Sequence, residues 1–420
     1  MKKVNIDVRQ FAVPSPLVGS IESHSGYGGV PKNGQEIHQI FQHKQLKENS
    51  NYISEKHLSI SFEMKPYEFV ISGRADGFIY QKIAVIQEIK TSFHIEELHN
   101  KLVENPNHPY IWQLKTYGYI QFRQSNEIPK LELVLISSRN FKTMIMDVVL
   151  NIDEYEAWMN RRLEELFKDT KIKEKIFEKR QLTSESMVFP FANPRPGQTE
   201  LVSTVEENFK EGIPLLIEAP TGLGKTMGIL YPALKESMGR GQKTVVVTPK
   251  NSQHQVAEAA IGLLQEQGSK IRSVTITSKS KMCMKAEVIC NPHYCEYAKD
   301  YYEKLAANDL VNKLGKIKRL TNKKLVQIGE EFQVCPFELS LEAIERADVV
   351  IGDYNYVFSP RSLIGRLSES FFKNKEKPNL VVDEAHNLPS RAQDYFSPSI
   401  STSQVLLYEN LFRNIPSPFM

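Results

Sequence analysis

Cysteine is scarce in this chain of 420 residues: Cys283, Cys290, Cys295 and Cys335 are all there is, and none precedes position 283. Disulfide frameworks go with small secreted domains, so this distribution and length set that class aside. No apolar run reaches the roughly 18 residues of a membrane span. The start, MKKVNIDVRQF, has two lysines but no apolar stretch behind them. No secretory signal is read there, no membrane partner is expected, and the expected location is cytoplasmic. Charge of one sign is not in excess either: 53 Lys and Arg against 50 Asp and Glu leave +3. That balance is compatible with a nucleic-acid partner but does not require one. Internal repeats and long low-complexity tracts are missing too.

What is present is an ordinary globular composition, 41% hydrophobic and 25% charged, over a length that suits two or three domains. Residues 1–168 read as one α/β domain. A loop rich in Gly, Ser and Pro (SPLVGSIESHSGYGGVPKNG) precedes a helix, QEIHQIFQHKQLKEN. Strand patterns follow in HLSISFEMK, EFVISGRADGFIY and KIAVIQEIK. A helix over PYIWQLKTYGYIQFRQ, strands LELVLISSR and TMIMDVVL, and a helix EYEAWMNRRLEELFKD complete the domain. Residues 169–188, charged and then polar, read as a linker. From residue 189 to 420 short apolar runs alternate with helical segments: IPLLIEA, KTVVVTP, RSVTITS, ADVVIGD and NLVVDEA. That alternation predicts a parallel sheet covered on both faces.

The second half holds a triphosphate pattern. APTGLGKT follows an apolar run and opens a helix, as a P-loop does. Thr221, Gly222 and Gly224 would let backbone N–H groups turn around phosphates at a helix N-terminus. Lys225 would reach the β- and γ-phosphates of ATP, and Thr226 would hold Mg²⁺. Downstream, VVDEAH ends an apolar strand in two carboxylates. Asp383 would bind the Mg²⁺ and Glu384 would activate the attacking water. Alone, each pattern is also met as a plain turn or a solvated strand end. Their order, each after an apolar run, argues for a nucleotide site.

The first half holds a pattern for a divalent cation. Asp76 sits at a turn between strand runs, and Glu88 and Lys90 share one face of the next strand. Carboxylate oxygens suit Mg²⁺ or Mn²⁺. Asp-x11-Glu-x-Lys by itself is also met as surface charge on a hairpin. Two further features go with it: His38 in the preceding helix, and Gln113 and Tyr117 on one helix face. Trp112 reads as a core aromatic rather than a base-stacking one. The cysteine spacing C-x6-C-x4-C-x39-C suits a [4Fe–4S] cluster or a tetrahedral zinc, and the residues alone do not separate them. The basic run KLGKIKRLTNKK is open between a solvated helix face and a phosphate-contacting surface.

Residues 189–420 resemble the XPD/DinG family of superfamily 2 DNA helicases. The resemblance rests on NPRPGQ, the P-loop, CPFEL with ADVVIGDYNYVFSP, and DEAHNL. It implies that Gln198 lies on the adenine side of the ATP site. It also implies that Cys283, Cys290, Cys295 and Cys335 hold a [4Fe–4S] cluster in an insertion over about 278–340. DNA, single-stranded or forked, is the implied partner. The family's motor continues well beyond DEAH, so the motor is expected to be incomplete in this chain. Residues 390–420 would begin a helical arch insertion, and a separate chain would supply the second motor domain.

Residues 30–125 resemble RecB-like nucleases of the PD-(D/E)XK superfamily, through His38, Asp76, Glu88, Lys90, Gln113 and Tyr117 in that chain order. The resemblance implies that His38, Asp76 and Glu88 ligate metal, that Lys90 is the catalytic lysine, and that Gln113 and Tyr117 form a substrate-side pair. The combined expectation is an ATP-dependent helicase–nuclease, or its N-terminal portion, acting in DNA repair or processing. The alternative is a metal-dependent nuclease whose incomplete motor only binds DNA or ATP.

Overall fold

The computed structural model describes residues 1–13, 17–21, 32–220, 222–359, 377–397, 401–403, 405–406 and 409. Thr221 and much of the expected arch segment lie outside them. The chain forms two compact units. One is Met1–Glu178 with Ile289–Leu310 and Phe332–Val334; the other is Lys179–Val288 with Val311–Glu331 and Cys335–Met420. Part of the expected cysteine insertion therefore belongs to the first unit. There Ile21 N–H donates to the Ala298 carbonyl at 2.9 Å, and Tyr302 N–H donates to that of Gly19 at 3.1 Å.

The first unit runs β1 (Lys2–Asp7), α1 (Val8–Ala12), α2 (Lys32–Glu48), β2 (Tyr52–Met64), β3 (Tyr67–Ile79), β4 (Val85–Ser92), α3 (Ile95–Glu104), α4 (Pro109–Ser125), β5 (Lys130–Ser137), β6 (Thr143–Val148) and α5 (Ile152–Ser186), whose residues from Lys179 on count with the second unit. Its mixed six-stranded sheet is ordered β1-β3-β4-β5-β6, with β2 also paired to β3. Alternation explains the layers. Leu131, Leu133 and Leu135 of β5 face α4 and α5, in one core with Leu114, Ile120, Trp158 and Leu163. Val134 and Ile136 face the other way and pack with Ile37 of α2 and Ile89 of β4. A strand buried on both faces reads as a continuous apolar run, as LELVLIS does. Trp112 is a core residue, its ring stacked on Trp158 at 4.3 Å.

Residues 169–188, expected as a linker, are mostly helical, because α5 continues to Ser186. Most of their charges lie along the exposed side of that helix, while Arg180 is buried and donates to Asp348 at 2.9 Å. β1 is a strand the sequence reading missed. Its burial alternates only weakly, and KKVNID pairs in parallel with β3 from Lys2↔Tyr67 to Asp7↔Ser72.

The second unit contains α6 (Gln198–Glu211), α7 (Lys225–Gly239), β7 (Thr244–Thr248), α8 (Asn251–Glu266), β8 (Ser273–Thr275) and α9 (Lys279–Met282). After α10 (Tyr301–Ala307), which lies in the first unit, come α11 (Leu310–Leu314), β9 (Arg319–Leu320) and α12 (Asn322–Phe332). Then follow α13 (Pro336–Ile344), β10 (Val349–Asp353), α14 (Asn355–Phe358), β11 (Asn379–Val382) and, after a 3-10 turn, α15 (Leu388–Phe396). The sheet is parallel throughout, ordered β11-β7-β10-β8-β9. Leu230, Leu234, Ile261 and Leu264 of α7 and α8 close over Val246, Val349 and Ile351.

One expected strand is corrected. IPLLIEA forms no ladder among the described residues: Ile213–Pro220 is irregular and Leu216 is 88% exposed. An apolar run becomes a strand only where its N–H and C=O groups find a neighbour. This run has none here, and Pro214 lacks an N–H to offer. The basic run KLGKIKRLTNKK is likewise not one helix face; it is divided among α11, β9 and the start of α12.

Candidate active sites

In the first unit the ladder itself opens the site. β3 pairs with β4 only over Gly77–Ile79 and Val85–Gln87, and then the strands part. Asp76 stands on one arm of the fork, and Glu88 and Lys90 on the other. The Ile89 amide, no longer in the ladder, donates to Asp76 Oδ2 at 2.7 Å. Opposite Asp76, Glu55 of β2 takes φ +55, a left-handed conformation uncommon for a non-glycine residue. Gln42 of α2 ties the two sides, donating to Glu55 Oε1 at 3.3 Å and to the Asp76 carbonyl at 2.8 Å.

Glu88 is 3% exposed. Its Oε1 accepts from Lys90 Nζ at 2.8 Å and from Gln113 Nε2 at 2.7 Å, while Gln113 Oε1 accepts from Lys90 at 3.1 Å. These three side chains form a closed ring of hydrogen bonds. Glu88 Oε2 is buried and has no partner. His38 of α2 brings Nδ1 to 3.9 Å from Asp76 Oδ2. Tyr117, expected on the substrate side, is buried and donates to the Arg74 carbonyl at 3.0 Å. Gly73 is required beside it, because a Cβ there would stand 2.6 Å from the Tyr117 hydroxyl.

The electrostatics follow from burial. Loss of water pushes Glu88 up to about 7 against the pull of Lys90, and pushes Asp76 up to about 6 against the Ile89 hydrogen bond. Burial works against the Lys90 charge too, but Glu88 and Asp76 outweigh it and hold Lys90 above its ordinary value. Burial, then the Lys90 charge, lowers His38, which keeps the imidazole neutral and its lone pair open to a cation. Among the described residues no three His, Cys, Asp or Glu side chains are already gathered as a metal site. The donor set nevertheless fits a hard divalent cation: two carboxylates that burial disfavours as bare anions, one orphaned oxygen and a neutral imidazole.

In the second unit Gly222 and Gly224 have φ +87 and +83, left-handed values that the loop needs before α7 begins at Lys225. Gln198, expected on the adenine side, is buried and braces this loop. Its Oε1 accepts from the Arg195 amide at 3.1 Å, and its Nε2 donates to the Gly224 carbonyl at 3.2 Å. Arg195 itself donates to the Gly222 carbonyl. Lys225 Nζ donates to the Ala219 carbonyl at 2.9 Å. Thr226 follows in the first turn of α7 and is partly buried.

β11 delivers the acidic pair. The Asp383 amide continues the ladder to Val247 at 2.9 Å, and Tyr354 donates to the Asp383 and Glu384 carbonyls. Glu384 takes φ +52, and its Oε2 lies 3.3 Å from His386 Nδ1. Burial, then the Glu384 charge, raises Asp383, while Lys225 pulls it back.

Of the cysteines, Cys283 and Cys335 lie in the second unit and Cys290 and Cys295 in the first. Burial pushes the Cys335 thiol up to about 12. The donor chemistry suits a thiolate-held centre, but no cluster geometry is gathered among the described residues.

Sequence reasoning missed Arg9, Gln42, Glu55, Arg195 and Tyr354. Arg9 follows Val8, which is fully buried beside Gly73 where β1 gives out along β3. The glycine-proline context of Arg195 was the one legible signal among them.

Residues 248–405 match the DEAD_2 family model and residues 195–299 the DEAD/DEAH box helicase model. This part of the chain is thus related to DEAD/DEAH box helicases. A "Regulator of telomere elongation helicase 1 homolog" from Drosophila ananassae is 22% identical over 278 residues, 52% of this chain and 27% of that protein. The "General transcription and DNA repair factor IIH helicase subunit XPD/RAD3" of Saccharomyces cerevisiae is 20% identical over 255 residues, 51% of this chain and 32% of that protein. The chain therefore spans about a third or less of the length of these relatives. Among solved structures, a truncated XPD is 21% identical with TM-score 0.34, covering 52% of this chain and 66% of that one. An alkaline exonuclease from Laribacter hongkongensis is 13% identical with TM-score 0.28, covering 41% of this chain and 92% of that one. No helix among the described residues is long and apolar enough to cross a membrane.

Proposed function

We propose that this chain carries the parts of an ATP-dependent DNA helicase–nuclease, with a metal-dependent phosphodiester-cleaving site in the first unit and an ATP site in the second. The observation that carries the first half is the Glu88–Lys90–Gln113 ring beside Asp76, with one Glu88 oxygen buried and unpartnered. Such an oxygen is costly unless a cation or donor joins it. Helicase relatedness over residues 195–405 supports the second half.

His38, Asp76 and Glu88 Oε2 would hold Mg²⁺ or Mn²⁺, which when bound supplies Lewis-acid polarisation of a phosphate and a water acidic enough to attack it. Lys90 faces the negative charge that grows on the phosphate oxygens. Gln113 keeps Lys90 and Glu88 aligned, and Tyr117 fixes β3 at Arg74, just ahead of Asp76. In the second unit Lys225 exchanges the Ala219 carbonyl for a phosphate oxygen of ATP, Asp383 and Thr226 serve Mg²⁺, and Glu384 orients the water. The four cysteines would bind a [4Fe–4S] cluster. The DNA partner and the repair role belong to the same proposal.

The test is cleavage of end-labelled single-stranded DNA by anaerobically prepared full chain with Mn²⁺ or Mg²⁺, with and without ATP. Metal-dependent cutting by wild type that disappears in Glu88→Ala is expected. Cutting that persists in Glu88→Ala removes the first unit from the reaction. Cutting indifferent to ATP and to Lys225→Ala favours the alternative, in which the motor portion only binds.

A further inference from the structure

The edge of β3 that faces away from β2 is shared by two strands. β1 occupies Tyr67–Ser72 and β4 occupies Gly77–Ile79, which leaves Gly73–Asp76 with neither. The chain leaving β1 turns into α1 at this gap. Val8 is fully buried, and its side chain would lie 3.1 Å from a Cβ placed on Gly73. Arg9, the next residue, leaves its side chain 70% exposed.

The short helix that carries Arg9 is held firmly. Asp7 caps it, accepting from the Arg9 amide at 2.8 Å. At its other end the buried Arg162 donates from Nε to the Phe11 carbonyl at 3.1 Å and from Nη2 to that of Gln10 at 3.2 Å. Phe11 is fully buried, its ring edge-on to Trp158 at 5.2 Å. The guanidinium itself is much less committed: its Nε lies 3.7 Å from Asp7 Oδ1, and both side chains are exposed. Such a pair contributes little and is readily exchanged. An exposed arginine is most often solvated surface. This one stands on a pinned backbone at the Gly73–Asp76 gap, where the strands part around the partly buried Asp76 and the buried Glu88.

We propose that Arg9 binds a backbone phosphate of the nucleic-acid strand at this fork and so sets which phosphodiester lies over Asp76 and Glu88. This rests on the reading of the first unit as a phosphodiester-cleaving site. A planar guanidinium offers two parallel N–H donors to one phosphate, which fixes orientation as well as charge. Asp7 becomes the group Arg9 leaves when the strand arrives.

Full-length wild type, Arg9→Gln and Arg9→Lys are compared in two assays. The first is binding of fluorescent single-stranded DNA in EDTA, by anisotropy across a salt series, so that nothing is cut. Loss of one phosphate contact lowers the slope of log K against log salt by about 0.7 in magnitude. That decrease is expected for Arg9→Gln and not for Arg9→Lys, which keeps the charge. The second assay is cutting with Mn²⁺: Arg9→Gln raises KM about tenfold with kcat little changed, and Arg9→Lys recovers part of the loss. An unchanged salt slope and KM in Arg9→Gln overturns the Arg9 contact while leaving cleavage standing. Absence of metal-dependent cutting by wild type overturns the cleavage reading instead, and the salt slope still decides whether Arg9 holds a phosphate. A merely structural role would shift the tryptophan unfolding midpoint and leave the salt slope alone.

Discussion

Replacing Glu88 by Gln should make the first unit more stable, by an amount that grows as pH rises from about 4.5 to about 7 and then levels off. Burial raises Glu88 from an ordinary 4.5 to about 7. Above 4.5 the unfolded chain gives up this proton while the folded chain keeps it. The unfolded state then binds fewer protons, so stability falls as pH rises from about 4.5 to about 7. At about 1.4 kcal/mol per pH unit, the cost at pH 8 is about 3 kcal/mol, an upper figure because Lys90 can adjust around the anion. Gln keeps the shape, still accepts from Lys90, and carries no charge to strand. The assay is urea unfolding in EDTA followed by tryptophan fluorescence. It reports this unit selectively, because the only two tryptophans, Trp112 and Trp158, are buried within it. With a urea dependence of about 2 kcal/mol per molar, the variant midpoint should lie about 1–2 M above wild type at pH 8. The two should coincide at pH 4.5. Mn²⁺ added at pH 8 should stabilise wild type and leave the variant unmoved, since a ligand that binds only the folded form acts by mass action. A Gln variant no more stable than wild type at pH 8, or wild-type stability flat between pH 4.5 and 7, would refute the reasoning.

Lys225→Ala should weaken ATP binding tenfold or more in calorimetry, since it removes a charged donor to phosphate, without moving the tryptophan transition. Asp348→Asn should destabilise the second unit by about 3 kcal/mol, read as earlier proteolysis of that unit, because it leaves Arg180 and Arg272 buried with one charge fewer. Burial opposes the Asp348 charge, but the two arginines outweigh it and hold this acid below its ordinary 3.8. Its contribution is therefore complete above 3.8 and lost as pH falls through the lower folded value. Cys335→Ser should abolish the visible absorption and iron content of anaerobic preparations; retained zinc with no iron in wild type would instead favour a tetrahedral zinc.

The sheet of the first unit was legible where both faces are buried, because LELVLIS and the β3 run leave little choice of structure. β1 was not legible: KKVNID has no strong alternation, and its place comes from a parallel partner 65 positions on. Pairing at that distance leaves no local trace. IPLLIEA fails in the opposite direction. Its composition is that of a buried strand, yet composition expresses burial and not pairing, and a ladder needs a neighbour that the run itself cannot supply. α5 replaced the expected linker because its charged residues have good helix propensity and its last turns bury Arg180, Thr183 and Ser184, contacts that the local charge pattern does not show.

The candidate sites divide along the same line. Asp76, Glu88 and Lys90 were legible because each must present a charged group at a fixed strand position, and a fixed position leaves a fixed spacing. The groups that aim them were not, because a brace has many chemical solutions. Gln42 reaches a carbonyl, Tyr117 reaches another, and Arg162 pins a helix end, and each task could fall to other residues from other elements. Gln113 bridges the two classes: its spacing to Tyr117 was readable, but its bond to Glu88 Oε1 closes a ring that only the fold brings together. That ring gives a consequence the spacing could not. With Oε1 taken twice and Oε2 left bare, Glu88 has one oxygen left for a cation. Gln113→Ala should therefore release Oε1, loosen Lys90, and weaken Mn²⁺ binding less than it slows cutting. Equal losses in Mn²⁺ affinity and in kcat would show instead that Gln113 acts on the cation site and not on the lysine.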